Sequence, residues 1–527
     1  MKINFKYTLL IPSLMLMLAT SCFKDKGNYD YTNIHEAVID FPAITDNEYE
    51  ITADWLTDLV LTPQVKTPQG TDANLGDYDF EWYNYSAEGV HGDDGKYVPK
   101  KVIGHSAGLN FYLGDPPGKY YYVLKSTHKT TAAVSFYRFL LNVESVNGWL
   151  VLDENAASEG DLHIIRDQQI VPSLTLPGAI VGRNMYSLAN NNDKLTGAKF
   201  ISILDVSQVK RYHNLYVFKE NGVYKIDAGT FTLVTEDYNA LFMSSPSVAA
   251  PMAHFYPNGM NGRSEVLINN NEIYVQRWSG LGLEDKFPSV WAAFGTPYKV
   301  HPYIAYIDPS LGGNVAAVLY QTHNYPRGRF ITVGTSGSSP GYLSLPEGSQ
   351  FQPQAINSDP TVSNLVLRYM NSGTDGKTVA VFHDELDSNK PWLLVGNFIN
   401  SAEPAALRRK NMSEVTGFAA ATHYVFGQRG DLVFYASGDK VYSYSFMSDT
   451  ATASVMLSLS GSEQVTSMKL YTHSNNETYS GRILFVATYD GTQGKVYKIP
   501  FNPLNGNVGN VEIFDGFGKI IDMYNKE

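Results

Sequence analysis

The 527-residue chain has a single cysteine, Cys22, so no internal disulfide can staple any part of it. Charged residues make up only 17%, and basic runs are scarce; Arg408-Arg409-Lys410 is the clearest and reads as a solvated loop. The formal net charge is −12, which disfavours nucleic acid as a partner, because phosphate binding needs basic patches. Past the N-terminal residues no segment approaches 18 consecutive apolar residues, so no later membrane-spanning helix is expected. His-Glu-x-x-His, the Gly-x-Ser-x-Gly nucleophile elbow, the phosphate loop and the Rossmann fingerprint are all missing. The Gly334–Gly341 stretch is rich in Gly and Ser but lacks a strand–turn–helix context, and reads as a flexible loop.

What is present points to a β protein. Hydrophobic residues reach 43% and aromatic residues 13%, enough for real cores and against disorder. Thirty-six tyrosines suit half-buried sheet positions, with an apolar ring and a wet hydroxyl. Forty-four glycines and 25 prolines supply many turns. Between residues 32 and 145, strand-length runs recur at Ala37–Phe41, Leu59–Val65, Tyr78–Tyr85, Leu109–Leu113, Tyr120–Lys125 and Ala133–Val143. Turn clusters separate them, which predicts one Ig-like sandwich. The acidic residues Asp72, Asp77, Asp79, Asp93 and Asp94 suggest hard oxygen ligands for Ca²⁺, but no EF-hand spacing is present. Solvated turns account for them better.

From residue 146 to the C-terminus the chain repeats. Each unit is an apolar strand, a Gly/Asn/Asp turn, then a second strand containing Tyr; Leu215–Ile226, Val266–Val275, Leu432–Tyr444 and Ile483–Ile499 are the clear copies. Looser ones begin at Trp149, Val315 and Val379. Seven units at a spacing of about 50 residues are the mark of a β-propeller, since one blade cannot bury both its faces but a ring of blades can. A second register, Val415–Phe418 against Val465–Met468, is offset by 50 and is expected to be the strand before each hairpin, nearest the channel.

The N-terminus carries its own signal. Lys2 and Lys6 precede an apolar run from Tyr7 to Leu18, and Ala19-Thr20-Ser21-Cys22 follows. That run is about a dozen residues, too short to cross a bilayer at roughly 20. The pattern resembles a bacterial lipoprotein signal, which implies cleavage before Cys22 and lipid attachment there, leaving a net charge of −14. On this reading residues 1–21 are signal peptide, 22–31 tether, 32–145 sandwich and 146–527 propeller. Phe23-Lys24-Asp25-Lys26-Gly27-Asn28-Tyr29-Asp30, Phe80-Glu81-Trp82 and Gly148-Trp149-Leu150-Val151-Leu152 together resemble the PKD-like family lipoproteins of the Bacteroidota. The resemblance implies an outer-membrane lipoprotein beside nutrient importers of the SusC/SusD kind, expected at the cell surface, with a periplasm-facing orientation as the alternative. It implies no catalytic residue, and lipidation would leave Cys22 unable to serve as a nucleophile.

Candidate chemistry is therefore sparse. His254, His301, His423 and His473 each stand shortly before a repeat start and are the candidates for a channel-mouth ring that binds a metal or an anion. Loop histidines satisfied by backbone or water are the simpler account. His383-Asp384-Glu385 reads as a hairpin end. Trp278, Trp291 and Tyr325 suit stacking on sugars or peptides, with core packing the commoner use of such residues. The expected function is a non-catalytic, lipid-anchored accessory of nutrient uptake that binds a glycan or peptide ligand or a partner protein, with no cofactor. The alternative is an envelope hydrolase whose channel carboxylates stand at about 5–9.5 Å.

Overall fold

A computed structural model describes residues 35–42, 44, 50–87, 101–172, 174, 178–205, 213–256, 264–277, 286–293, 296–322, 329–335, 341–342, 365–384, 387 and 389–527. Cys22, the tether, Asp93, Asp94, Trp278 and Tyr325 lie outside them. The chain divides into two compact units. One comprises Met1–Thr52, Asp58–Tyr112 and Lys119–Asn142, the other Ala53–Thr57, Leu113–Gly118 and Val143–Glu527.

In the smaller unit a five-stranded sheet runs in the order Glu50–Asp54, Val134–Glu144, Gly118–His128, Tyr78–Ser86 and Lys101–Gly104. Two ribbons accompany it, Val38–Asp40 with Gln64–Lys66 and Asp58–Leu61 with Leu109–Tyr112. Alternation along Tyr78–Ser86 turns Tyr78, Phe80 and Trp82 inward, as the period of two in a strand requires. Trp82 is fully buried between Phe41 and Phe139, and its Nε1 donates to the carbonyls of Ser106 and Ala107. Phe111 on a ribbon packs edge-on to Tyr122 on the sheet. This is a sandwich core. Of the acidic residues expected in turns, Asp79 instead lies on the strand Tyr78–Ser86, exposed, and faces Lys129 at 3.7 Å.

The larger unit is a succession of sheets. Six begin with an innermost strand: Ala198–Asp205, Pro251–Phe255, Ala305–Tyr306, Leu365–Ser372, His423–Phe426 and Gln464–Leu470. Each continues outward in chain order through four antiparallel strands, or three in the sheet that begins at Pro251. A seventh sheet is assembled from both ends of the region. Gly148–Glu154 pairs on one side with Glu159–Arg166 and on the other with the last strand, Lys519–Lys526, which takes the innermost place. Among the described residues seven such sheets are present, and every repeat inferred from the sequence contains its hairpin.

Each sheet buries its face on the next. Val266, Ile268 and Val275 meet Val300, Leu319 and Val333, and further around Phe434 and Val441 meet Leu484, Val486 and Ile499. The last sheet packs on the first, where Trp149 stacks on Phe485 at 4.0 Å beside Tyr471 and Met523. The first meets the second through Tyr186 against Tyr224 and through the Asp522 carboxylate, which accepts from the Ile201 N–H at 3.0 Å. The contacts close a ring, and the architecture is all-β with a sandwich and a propeller.

Two expectations change. Val415–Phe418 is a turn leading into a single 3₁₀ turn, Phe418–Ala420, so the innermost strand of that sheet is His423–Phe426 and the 50-residue offset does not mark equivalent strands. Arg408–Lys410 is no solvated loop. It lies on the outer strand Ala405–Asn411, with Arg408 on Asp449 at 2.7 Å and Arg409 over the Trp392 ring. Aromatic and carboxylate neighbours from adjacent elements make a basic run compatible with a half-buried strand.

Two short N-terminal segments are part of the propeller unit itself. Trp55 is fully buried and meets Phe231 edge-on, while the buried Arg166 donates to the Trp55 carbonyl and to Asp54. Trp149→Ala removes the ring that joins the last sheet to the first. It is expected to cost about 3–5 kcal/mol, read as a lowered urea midpoint; a loss under about 1 kcal/mol would show that this contact does not hold the closure.

Candidate functional site

Three successive sheets, with Tyr303 from just before the strand Ala305–Tyr306, place side chains around a cavity of about 730 Å³. Leu365–Ser372 supplies Arg368 and Tyr369. Leu367 pairs with Phe382 and Tyr369 with Val381, so Arg368 is the extra residue of a β-bulge. A bulge re-aims the side chain it carries, and Arg368 is exposed at the cavity. The next sheet contributes Ala419–Tyr424, and the one after it Thr466–Lys469, where Thr466 is again the bulged residue.

Tyrosines make one wall. Tyr303 meets Tyr369 edge-on at 5.4 Å, and Tyr369 stacks on Tyr424 at 6.0 Å. Tyr424 is buried and its hydroxyl donates to the Ala421 carbonyl, whereas Tyr303 and Tyr369 are half-buried. Burial raises the pKa of all three hydroxyls, so they stay protonated as donors.

The charges around the cavity are unbalanced. Its lining contains Arg368 and Lys469 and, among the described residues, no Asp or Glu. Lys469 is paired with Asp522 of the closing strand at 3.1 Å; burial works against its charge, but Asp522 and Tyr369 outweigh that and raise its pKa. Arg368 has no carboxylate partner among the described residues. The imidazole of His383 lies in the same lining, and its pKa is lowered first by burial and then by Arg368.

Of the four expected histidines only His423 lines the cavity, and it is already engaged. Its Nδ1 meets the Thr422 hydroxyl at 3.0 Å, and the ring also bonds to the Thr466 backbone. His254 is buried in the wall between two sheets, with Nδ1 on Ser202 at 2.7 Å and Nε2 on Glu265 at 2.8 Å. His301 lies beside the Tyr320 ring, and His473 accepts from the Asn475 N–H and faces Glu527. The four do not form a ring. His254 sits inside an innermost strand, His301 before one, His423 at the start of one and His473 after the end of one. Among the described residues no group of three or more His, Cys, Asp or Glu side chains is placed to hold a metal. Trp291 packs against the core between sheets. Arg368, Lys469 and the three tyrosines carried no signal in the sequence, because a bulge and a ring closure create their proximity.

Burial lowers the pKa of His301, His383 and His423 below 6.5. The unfolded chain therefore takes up protons at a higher pH than the folded one, and stability falls as pH drops below about 6.5. The urea midpoint is expected to decrease from about pH 7 to 5, each histidine contributing at most about 1.4 kcal/mol per pH unit. His423→Gln should flatten that dependence; an unchanged slope would show that His423 is protonated equally well in both states.

No curated protein sequence matches the chain. A quinoprotein alcohol dehydrogenase-like protein from Bacteroides thetaiotaomicron aligns in structure over 92% of this chain and 99% of its own, at 10% identity and a TM-score of 0.45. A protein provisionally named a 6-phosphogluconolactonase, from Bacteroides uniformis, aligns over 71% and 98%, at 13% identity and a TM-score of 0.42. Hsv2p of Kluyveromyces lactis covers 69% and 99%, at 8% and 0.37. Likeness of this degree carries no functional argument. The sequence of residues 22–196 matches the PKD-like family model, a span that takes in Phe80-Glu81-Trp82, Gly148–Leu152 and the first propeller hairpin.

Proposed function

We propose that this is a non-catalytic binding protein of the cell envelope, anchored by lipid at Cys22, whose ligand site is the cavity between the innermost strands of the propeller. The observation that carries the reading is the composition of that lining: half-buried tyrosines, an arginine with no carboxylate partner, and no Asp or Glu among the described residues. A site of this kind holds a ligand by stacking and charge. It offers no pair of carboxylates to protonate a leaving group and activate water, as glycoside hydrolysis needs. Asp522, the carboxylate behind Lys469, is engaged by that ammonium and by the Ile201 N–H, so it joins neighbouring strands rather than lining the cavity.

Anchoring rests on the sequence around Cys22, and among the described residues no helix is long and apolar enough to cross a membrane. The resemblance to importer-associated lipoproteins of the Bacteroidota supports a place beside SusC/SusD-like proteins. Cys22→Ser is expected to move the protein from the membrane fraction to the soluble fraction; retention in the membrane would remove the lipid anchor from this reading. Detergent-solubilised native protein should then co-purify with a SusC/SusD-like pair and should return oligosaccharides uncleaved. Turnover of a glycan or peptide would reinstate the hydrolase.

A further inference from the structure

We infer that the cavity takes an acidic sugar, a ring carrying one oxyanion, with Arg368 as its charge partner and the Tyr303–Tyr369 wall as its stacking surface; this rests on the binding reading above and names its ligand class. The chain as a whole is acidic, at −12, yet this lining is cationic. The two cations differ in what they already hold. Lys469 is neutralised by Asp522. Arg368 is held by no carboxylate among the described residues, whereas Arg166, Arg183, Arg408 and Arg429 all have oxygen partners.

Two buried polar atoms in the same lining, Nε2 of His383 and Oγ1 of Thr466, have no hydrogen-bond partner among the described residues. With a guanidinium that meets no carboxylate among the described residues, these two groups line the cavity where a polar ligand would meet them. The planar guanidinium fork suits an oxyanion with two oxygens on one side. One cation without a carboxylate among the described residues matches one oxyanion per sugar ring, which disfavours a polynucleotide.

The rest of the lining fits a sugar. Tyr303 and Tyr369 offer ring faces and protonated hydroxyls. Thr422, Ser467 and Asn389 add short polar groups that donate to and accept from ring hydroxyls. The volume of about 730 Å³ falls in the range of small-ligand sites. A uronate carboxylate and a sugar sulfate share the required chemistry, and the measurement separates them.

Calorimetric titration of the purified protein with digalacturonate, its methyl ester and galactose 6-sulfate tests the assignment. Digalacturonate or the sulfate should bind at least about tenfold tighter than the ester, and Arg368→Gln should abolish that preference while Arg368→Lys keeps part of it. Tyr369→Ala should weaken every probe alike. Unchanged thermal unfolding of each variant shows that the fold is intact. Tighter binding of the sulfate than of digalacturonate supports the inference and identifies the anion as sulfate; the reverse identifies a uronate. Equal binding of acid and ester, insensitive to Arg368→Gln, would overturn the acidic-sugar inference while leaving the cavity a binding site. No binding of any probe at about 1 mM would overturn both.

Discussion

The pairing of Lys519–Lys526 with Gly148–Glu154 is the constraint on which the rest depends. A blade has two faces, and a row of blades leaves one bare at each end. Here the last strand of the chain crosses to the first sheet and takes its innermost place, so the faces of the first and last sheets cover each other. The junction admits little variation. Gly518 donates its N–H to Asp153, and a Cβ at this position would come within 2.3 Å of the Glu154 carbonyl. Closing the ring pairs strands separated by almost the whole propeller in sequence. Loop-closure entropy must be met before those contacts form, which places closure late in folding.

Buried charge in the propeller goes into joining neighbouring strands and sheets. Lys498 is fully buried between Asp167 and Glu512, Asp161 gathers Lys194 and Ser187, and His254 spans Ser202 and Glu265. Such pairs are weak evidence of net stability, because desolvation offsets much of their attraction. Their geometry selects register: each ion is satisfied only when the correct neighbour is opposite. Asp522 illustrates the economy of the device, taking Lys469 from one adjacent strand and the Ile201 N–H from the other. Removing Asp522 would take the acceptor from the Ile201 N–H and the counter-charge from Lys469 at once.

The sequence made the sheets legible and left the site obscure. Hairpins such as Leu432–Ser437 with Lys440–Ser445 show through because apolar runs and Gly-Asp turns are local properties. Trp149 was recognisable as a repeat start, and the structure places it at the seam. Position along an innermost strand is harder to read. His423 and His473 are 50 residues apart, yet one opens a strand and the other follows one, because the loops feeding the two sheets differ in shape. The fifty-residue period identifies blades, not equivalent positions within them.

Arg368 shows why a site of this kind escapes pattern reading. In a regular strand its side chain would alternate with Leu367 and Tyr369 across the sheet, and one of the three would have to pack between blades. The bulge removes that obligation: Leu367 keeps its pairing with Phe382, Tyr369 with Val381, and Arg368 is released from the ladder. Bulged residues recur on other innermost strands, at Lys199, Met252 and Thr466. Their chemistry differs while the geometry repeats. At Arg368 and Thr466 the bulge thus leaves the neighbouring pairings in place and puts one residue at the cavity. The packing dictates where a side chain released from the ladder is tolerated, and at Arg368 that side chain faces the cavity.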